Sequence, residues 1–210
     1  MFLIIDNTKD LEHAKMTPKL LDYLEVNKLP YSIISKYHEI VPYINNKEVI
    51  GIILSGGPIC LSEKTELRNY STNFTALIEF PNIPILGICF GYQVICMAYG
   101  GIVDALDSPV IGNEMVEVMP KSLLMTQVAK SIQVFQHHSD YVKEAPLHFT
   151  ITSLNPNGRV EAIENVGKMR YGVQFHPENS PCGYLILDQF IKICKDNVSV
   201  LKNDSFRTKK

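Results

Sequence analysis

The sequence has no tryptophan and no surplus of either charge: 20 Lys and Arg stand against 22 Asp and Glu over 210 residues, a formal net charge of −2. Surfaces that hold nucleic acid need a clustered excess of Lys and Arg, so no nucleic-acid partner is expected. No targeting leader is expected either. Met1-Phe2-Leu3-Ile4-Ile5 carries no basic region and runs into Asp6, which predicts a first strand and a cytoplasmic protein. The five cysteines (Cys60, Cys89, Cys96, Cys182 and Cys194) include no C-x-x-C pair and no histidine partner at zinc spacing, so neither a disulfide framework nor a metal site is expected, and no cofactor is indicated. Phe80 to Val103 contains no charged residue and is long enough to span a bilayer. Pro81, Pro84, Gln93 and four glycines lie inside it and would interrupt a single helix. A buried strand followed by a buried helix is therefore predicted, without membrane association.

What remains is an ordinary globular composition, 46% hydrophobic and 20% charged, suited to one domain with a sizeable core. Short β-branched runs alternate with helical patterns in the first half, which argues for βα units and a mostly parallel sheet. Strands are predicted at Phe2–Asp6, Tyr31–Ser35, Gly51–Ser55 and Ile85–Ile88, and helices near Thr17–Asn27, Glu66–Glu79 and Tyr92–Tyr99. After Gly100-Gly101 the pattern shortens to strand-like pieces at Met115–Met119, Phe149–Ser153, Val160–Glu164 and Gly172–Phe175. A helix from about Tyr184 to Lys195 follows. The expectation is an α/β fold over 1–195: an open, mostly parallel, flavodoxin-like sheet flanked by helices, with added antiparallel strands in the second half. Residues 196–210 read as a polar, basic, flexible tail.

Two segments carry chemistry. In Pro84-Ile85-Leu86-Gly87-Ile88-Cys89-Phe90-Gly91-Tyr92-Gln93, an apolar run meets a glycine-flanked cysteine and then a helix-forming stretch, the strand, sharp turn and helix of a nucleophile elbow. Such a turn presents the thiol at a helix N-terminus, where unpaired N–H groups and the helix dipole favour the thiolate. Further on, Tyr171-Gly172-Val173-Gln174-Phe175-His176-Pro177-Glu178 offers a base and an orienting carboxylate. In an extended segment residues two apart share a side, so His176 and Glu178 are both expected to face Cys89, with His176 taking and returning a proton. Gln136-His137-His138-Ser139-Asp140 is a polar knot in apolar surroundings. Adjacent side chains diverge and no third ligand has suitable spacing, so no metal site is expected, and a purely structural turn stays open beside a functional role for the segment.

These motifs, with Gly51-Ile52-Ile53-Leu54-Ser55-Gly56-Gly57-Pro58 and the closing Gly183-Tyr184-Leu185-Ile186-Leu187-Asp188-Gln189-Phe190, resemble the class I (triad) glutamine amidotransferases over roughly residues 1 to 195. The resemblance implies hydrolysis of glutamine through a γ-glutamyl thioester on Cys89, with His176 and Glu178 completing the triad and ammonia passed to a synthetase. It implies an oxyanion hole from the N–H groups of Gly57 and Phe90. It also gives Gln93 and the His138, Ser139 and Asp140 segment to the glutamine pocket, where His138 and Asp140 match an S-H-G-D element from which His137 and Ser139 depart. The Ser-Gly-Gly-Pro and H-x-D elements look most like the amidotransferase part of GMP synthetase, although Thr8-Lys9-Asp10-Leu11 does not fit that pattern. No ATP-binding G-x-x-x-x-G-K or S-G-G-x-D-S loop occurs. The implied partner is therefore a separate synthetase subunit of the ATP-pyrophosphatase type. Three readings stand beside this one: an anthranilate or aminodeoxychorismate synthase component, a free-standing γ-glutamyl hydrolase, and a non-catalytic regulatory relative.

Overall fold

Four runs of four residues, each buried along its whole length, form the centre of the sheet: β1 (Phe2–Ile5), β3 (Gly51–Leu54), β4 (Ile85–Ile88) and β9 (Arg170–Val173). Near-continuous apolar sequence of this kind belongs to parallel strands covered on both faces. β1 pairs with β2 (Tyr31–Ile34) and β3, β3 with β4, and β4 with β9, all in parallel. The structure, a computed structural model, describes residues 1–8, 17–35, 37–63 and 70–207.

Helices α1 (Thr17–Val26) and α5 (Pro181–Arg207) share one apolar layer with the sheet, formed by Leu20, Leu24, Ile53, Val173, Ile186 and Phe190. α2 (Tyr37–Ile40), α3 (Ser71–Glu79) and α4 (Phe90–Ala98) belong to the opposite layer with Leu3, Ile52, Leu77, Val94 and Ile95. The charge-free Phe80 to Val103 stretch thus becomes β4 plus α4, as its prolines and glycines predict. Among the described residues no helix is long and apolar enough to cross a membrane. Residues 66–69 of the helix expected at Glu66–Glu79 lie outside the described residues, as do Lys9, Asp10 and Leu11. α5 does not stop near Lys195 but continues to Arg207, while 208–210 lie outside the described residues.

The second half differs most from expectation. β5 (Ile102–Val118) and β6 (Ser131–Glu144) form a long antiparallel hairpin, of which the sequence pattern marks only the piece at Met115–Met119. β7 (Thr150–Leu154) and β8 (Val160–Asn165) complete the order β2-β1-β3-β4-β9-β8-β6-β5-β7, and β7 also bonds to β8. β9 is the seam, parallel to β4 on one side and antiparallel to β8 on the other. The polar knot at Gln136 to Asp140 is therefore strand and not turn: alternation along β6 buries Gln136, His138 and Asp140 and leaves His137 exposed.

Arg170 shows how the first half is locked. It is fully buried, and burial lowers its pKa, yet its guanidinium donates to the carbonyls of Leu77, Phe80 and Ile83 at 2.9–3.2 Å and to the Tyr99 hydroxyl at 3.1 Å. The three carbonyls lie at and after the end of α3, where helix carbonyls lack partners and cations are favoured.

Candidate functional site

Cys89 sits between β4 and α4 with φ 50° and ψ −104°, a conformation a side-chain-bearing residue adopts only when its surroundings enforce it. The enforcement is visible. The Cys89 N–H donates to Val173 O at 2.8 Å and the Gly91 N–H to Ser55 O at 3.2 Å, pinning the turn to strands on both sides. A methyl group on Gly87 would lie 2.5 Å from the Gly91 backbone, and one on Gly91 would strike Leu54, so the two glycines of the elbow are what allow α4 to start so close to the sheet.

His176 arrives from the other side of the seam. β9 ends at Val173, and the His176 N–H then donates to Phe135 O on β6 at 2.9 Å. Its Nδ1 lies 2.8 Å from Glu178 Oε1, and the ring faces Cys89 across Gly56, close enough for the sulfur to act on its charge. With Nδ1–H committed to the carboxylate, Nε2 is left for the sulfur. His176 and Glu178 are 4% and 2% exposed, so their attraction is little screened. Burial would push the imidazole pKa down, but the Glu178 carboxylate and the Cys89 sulfur more than reverse this and raise it above its ordinary value. One expectation needs correcting: Glu178 does not face Cys89. Pro177–Asn179 forms a 3-10 turn, which breaks the extended spacing and puts Glu178 behind the imidazole. There it lines a separate cavity with Lys19, Tyr23 and Tyr184.

A cavity of about 460 Å³ opens over the sulfur, lined among others by Gly56, Gly57, Cys89, Gln93, His138 and His176. Gly56 lies between the two reactive groups: a methyl there would come within 2.8 Å of His176 Cε1 and 3.7 Å of Cys89 Cβ. Gly57 and the α4 N-terminus at Phe90 meet at the same wall, since a methyl on Gly57 would be 3.3 Å from Phe90 Cγ. Phe90 is the first residue of α4, where a backbone N–H has no partner within the helix.

Gln93 is not a surface amide. It is 2% exposed, and its Nε2 donates to Asp140 O at 3.0 Å and to Gln174 Oε1 at 3.2 Å, so the acceptor Oε1 is what it can offer the cavity. His138 donates through Nδ1–H to Asp140 O at 2.7 Å, and its Nε2 is buried with no partner. Burial drives its pKa down to about 4, leaving a neutral ring with an acceptor nitrogen. Asp140 spends both carboxylate oxygens on Ser62, on Oγ at 2.7 Å and N at 2.8 Å. It thereby anchors the Leu61–Glu63 turn at the cavity rim. Ser139 is half-buried and lines the cavity with Cys60, whose thiol pKa burial raises. Among the described residues no three His, Cys, Asp or Glu side chains are grouped to hold a metal ion.

Two groups of site residues carry no signal in the linear pattern. Asn7 clamps the Gly56-Gly57 loop, its N–H on Ser55 Oγ at 2.9 Å and its Nδ2 on Ser55 O at 2.8 Å, and it exchanges amide hydrogen bonds with Asn73. Gln174 places Nε2 3.8 Å from the Cys89 sulfur. Asn7 follows the first strand and Gln174 precedes His176 by two residues, but nothing in the order of residues pairs 7 with 55 and 73, or 174 with 89 and 93.

Together these groups provide a sulfur nucleophile, a carboxylate-oriented imidazole within reach of it, backbone N–H donors beside it and an acceptor-lined cavity above it. This set suits acyl transfer through a covalent thioester. The family Glutamine amidotransferase class-I matches residues 3–192. A glutamine-hydrolyzing GMP synthase subunit of Methanococcus aeolicus is 36% identical over 196 residues, 92% of this chain and 97% of the relative. The glutamine-hydrolyzing GMP synthase of Brachyspira hyodysenteriae is 33% identical over 168 residues, 79% of this chain but 32% of that longer protein. A crystal structure from Thermoplasma acidophilum, provisionally assigned as the corresponding GMP synthase subunit, is 26% identical and superposes with a TM-score of 0.81 over 96% of each chain. With elbow, imidazole and carboxylate in one site and the family match running through both halves of the sheet, the chain belongs to the class I glutamine amidotransferases.

Proposed function

We propose that this chain hydrolyses the side-chain amide of glutamine at Cys89 and supplies the ammonia to a separate synthetase subunit of the ATP-pyrophosphatase type, for conversion of xanthosine monophosphate to GMP. The observation that carries the chemistry is the buried His176, bonded to Glu178 through Nδ1 with its other ring nitrogen left for the adjacent Cys89 sulfur. The sulfur attacks the amide carbon, and the N–H groups of Gly57 and Phe90 receive the oxyanion. His176 delivers its proton to the departing nitrogen as the C–N bond breaks, releasing ammonia. It then deprotonates the water that hydrolyses the thioester to glutamate and the free thiol. The unpaired His138 Nε2 and the acceptor Oε1 of Gln93 suit the substrate's α-ammonium group.

The acceptor assignment rests on the relatives. Proteins named as glutamine-hydrolyzing GMP synthase subunits match this chain over 95% or more of their length, and in the Brachyspira protein the matching part is 32% of a longer chain. This pattern supports an amidotransferase chain that works beside a second subunit. The test is ammonia release from glutamine by the purified chain, alone and then with ATP, xanthosine monophosphate and the ATP-pyrophosphatase subunit from the same source. Cys89→Ala serves as the blank. Stimulation by the full mixture is the expected result. Full activity alone on other glutamyl amides would point to a γ-glutamyl hydrolase, and no thiol-dependent turnover in any mixture would reject the enzyme reading.

A further inference from the structure

The Cys89 sulfur has a neighbour that the roles of His176 and Glu178 leave unused. Gln174 is completely buried, its backbone N–H held by Glu161 O at 2.8 Å, and its Nε2 lies 3.8 Å from the sulfur. Its Oε1 accepts from Gln93 Nε2 at 3.2 Å, and the same Gln93 nitrogen donates to the backbone carbonyl of Asp140 at 3.0 Å.

The two ends of a carboxamide have the same shape, so packing alone does not orient one, whereas a backbone carbonyl can only accept. The Asp140 carbonyl therefore holds Gln93 with its NH₂ inward. The second hydrogen of that NH₂ turns the oxygen of Gln174 toward Gln93, which leaves the NH₂ of Gln174 directed at the sulfur. Orientation passes from a strand carbonyl through two amides to one atom. The sulfur has a use for it in each state: as a thiol it can donate to His137 O, 3.7 Å away, and as a thiolate it can only accept, from Gln174.

We propose that Gln174 is a catalytic residue that stabilises the Cys89 thiolate by donating an N–H to it, and that Gln93 and the Asp140 carbonyl are the relay that aims this donor. The proposal rests on the reading of Cys89 as the nucleophile. Other titratable groups line the cavity over the sulfur: His176 after β9, with Glu178 behind its ring, His138 and Asp140 on β6, and Cys60 across the cavity. All of them are retained in the variants below, so the difference between proteins reports the amides.

The test is the pH profile of iodoacetamide alkylation at Cys89 in the full chain, read by mass spectrometry of the Cys89 peptide and independent of turnover. Gln174→Met keeps the length of the side chain and removes the donor. Its alkylation midpoint should move up by about one pH unit, slowing reaction at neutral pH about tenfold. Gln93→Met, which frees Gln174 to flip, should shift the profile the same way by a smaller amount, about threefold. A natively folded Gln174→Met protein with an unshifted profile would overturn the proposal. Should that variant not fold, glutamine side-chain amides labelled with 15N in the wild-type chain decide the question. One pair must move with the alkylation midpoint and stay still in Cys89→Ala; if none does, the proposal fails. Glutaminase activity with an unshifted Gln174→Met profile would reject the role of Gln174 and leave the proposed function standing, and a shifted profile without glutaminase activity would reject the proposed function alone.

Discussion

The two halves of the sheet solve different problems, and the site lies on the seam between them. In the parallel half, β1, β3, β4 and β9 are buried on both faces, and glycines remove the last clearance between strand and helix. In the antiparallel half, β6 alternates between buried and exposed along nearly its whole length, and the facing β5 is exposed at Ile111 and Met115. The parallel half therefore supplies rigidity to the one atom that must react. The antiparallel half supplies a wall whose inner face can carry polar groups while its outer face stays wet. Catalytic position and pocket chemistry are divided between two kinds of sheet.

This division of labour is most vulnerable at the sulfur. Cys89→Ala should lower glutamine turnover by about 10⁴-fold or more while leaving the far-UV spectrum unchanged; residual activity near wild type would remove the nucleophile from the scheme. His176→Ala should come next. Glu178→Gln should cost less than His176→Ala, since it orients the imidazole and transfers no proton; measured kcat values in the opposite order would reassign the two. Gly91→Ala pushes a methyl into Leu54 in the tightest part of the parallel half and should cost about 2–3 kcal/mol in chemical denaturation, with a fall in kcat.

Smaller effects separate the two halves through pH. Burial raises the Glu161 pKa on β8 to about 7, despite a hydrogen bond from Gln136 at 2.7 Å. Since the folded value lies above the unfolded one, the native state holds a proton that the unfolded chain releases, and this residue subtracts stability as pH rises from the ordinary carboxylate range to about 7. Glu161→Gln should flatten that slope and raise Tm at pH 8 more than at pH 5. His138 is lowered to about 4 by burial, so its unfolded form binds a proton first and stability falls as pH drops from about 6.5 toward 4. The least effect belongs to the outer face. Ile111→Lys, at a residue 66% exposed, should change stability by less than about 0.5 kcal/mol and leave glutaminase activity intact. A large loss there would mean that the hairpin is more than a wall.

Legibility in the sequence follows the same division. β1, β3 and β4 are readable because strands buried on both faces are unbroken apolar runs, and the elbow because its glycines and cysteine are adjacent in the chain. The hairpin is hard to read because β5 carries Pro109 and Gly112 and shifts register between Ala105 and Val110, while β6 carries Gln136 to Asp140, whose polarity imitates a turn. Those residues are polar because they face the cavity and its supports, a tertiary fact with no local signature. Cys89, His176 and Glu178 are legible as motifs. The position of Glu178 behind the ring comes from a local 3-10 turn that the H-P-E order does not announce, while the Asn7, Ser55 and Asn73 clamp and the amide relay depend on contacts across tens of residues.

The positive φ of Cys89 sets function against stability at one position. The residues of β4 just before it are buried in ordinary strand conformation, whereas a cysteine at φ 50° holds a backbone state in which glycine would rest without strain. A lineage released from the need for glutamine turnover would gain stability by exchanging Cys89 for glycine. Decay of this enzyme is thus expected to begin at its nucleophile while the surrounding scaffold is still whole.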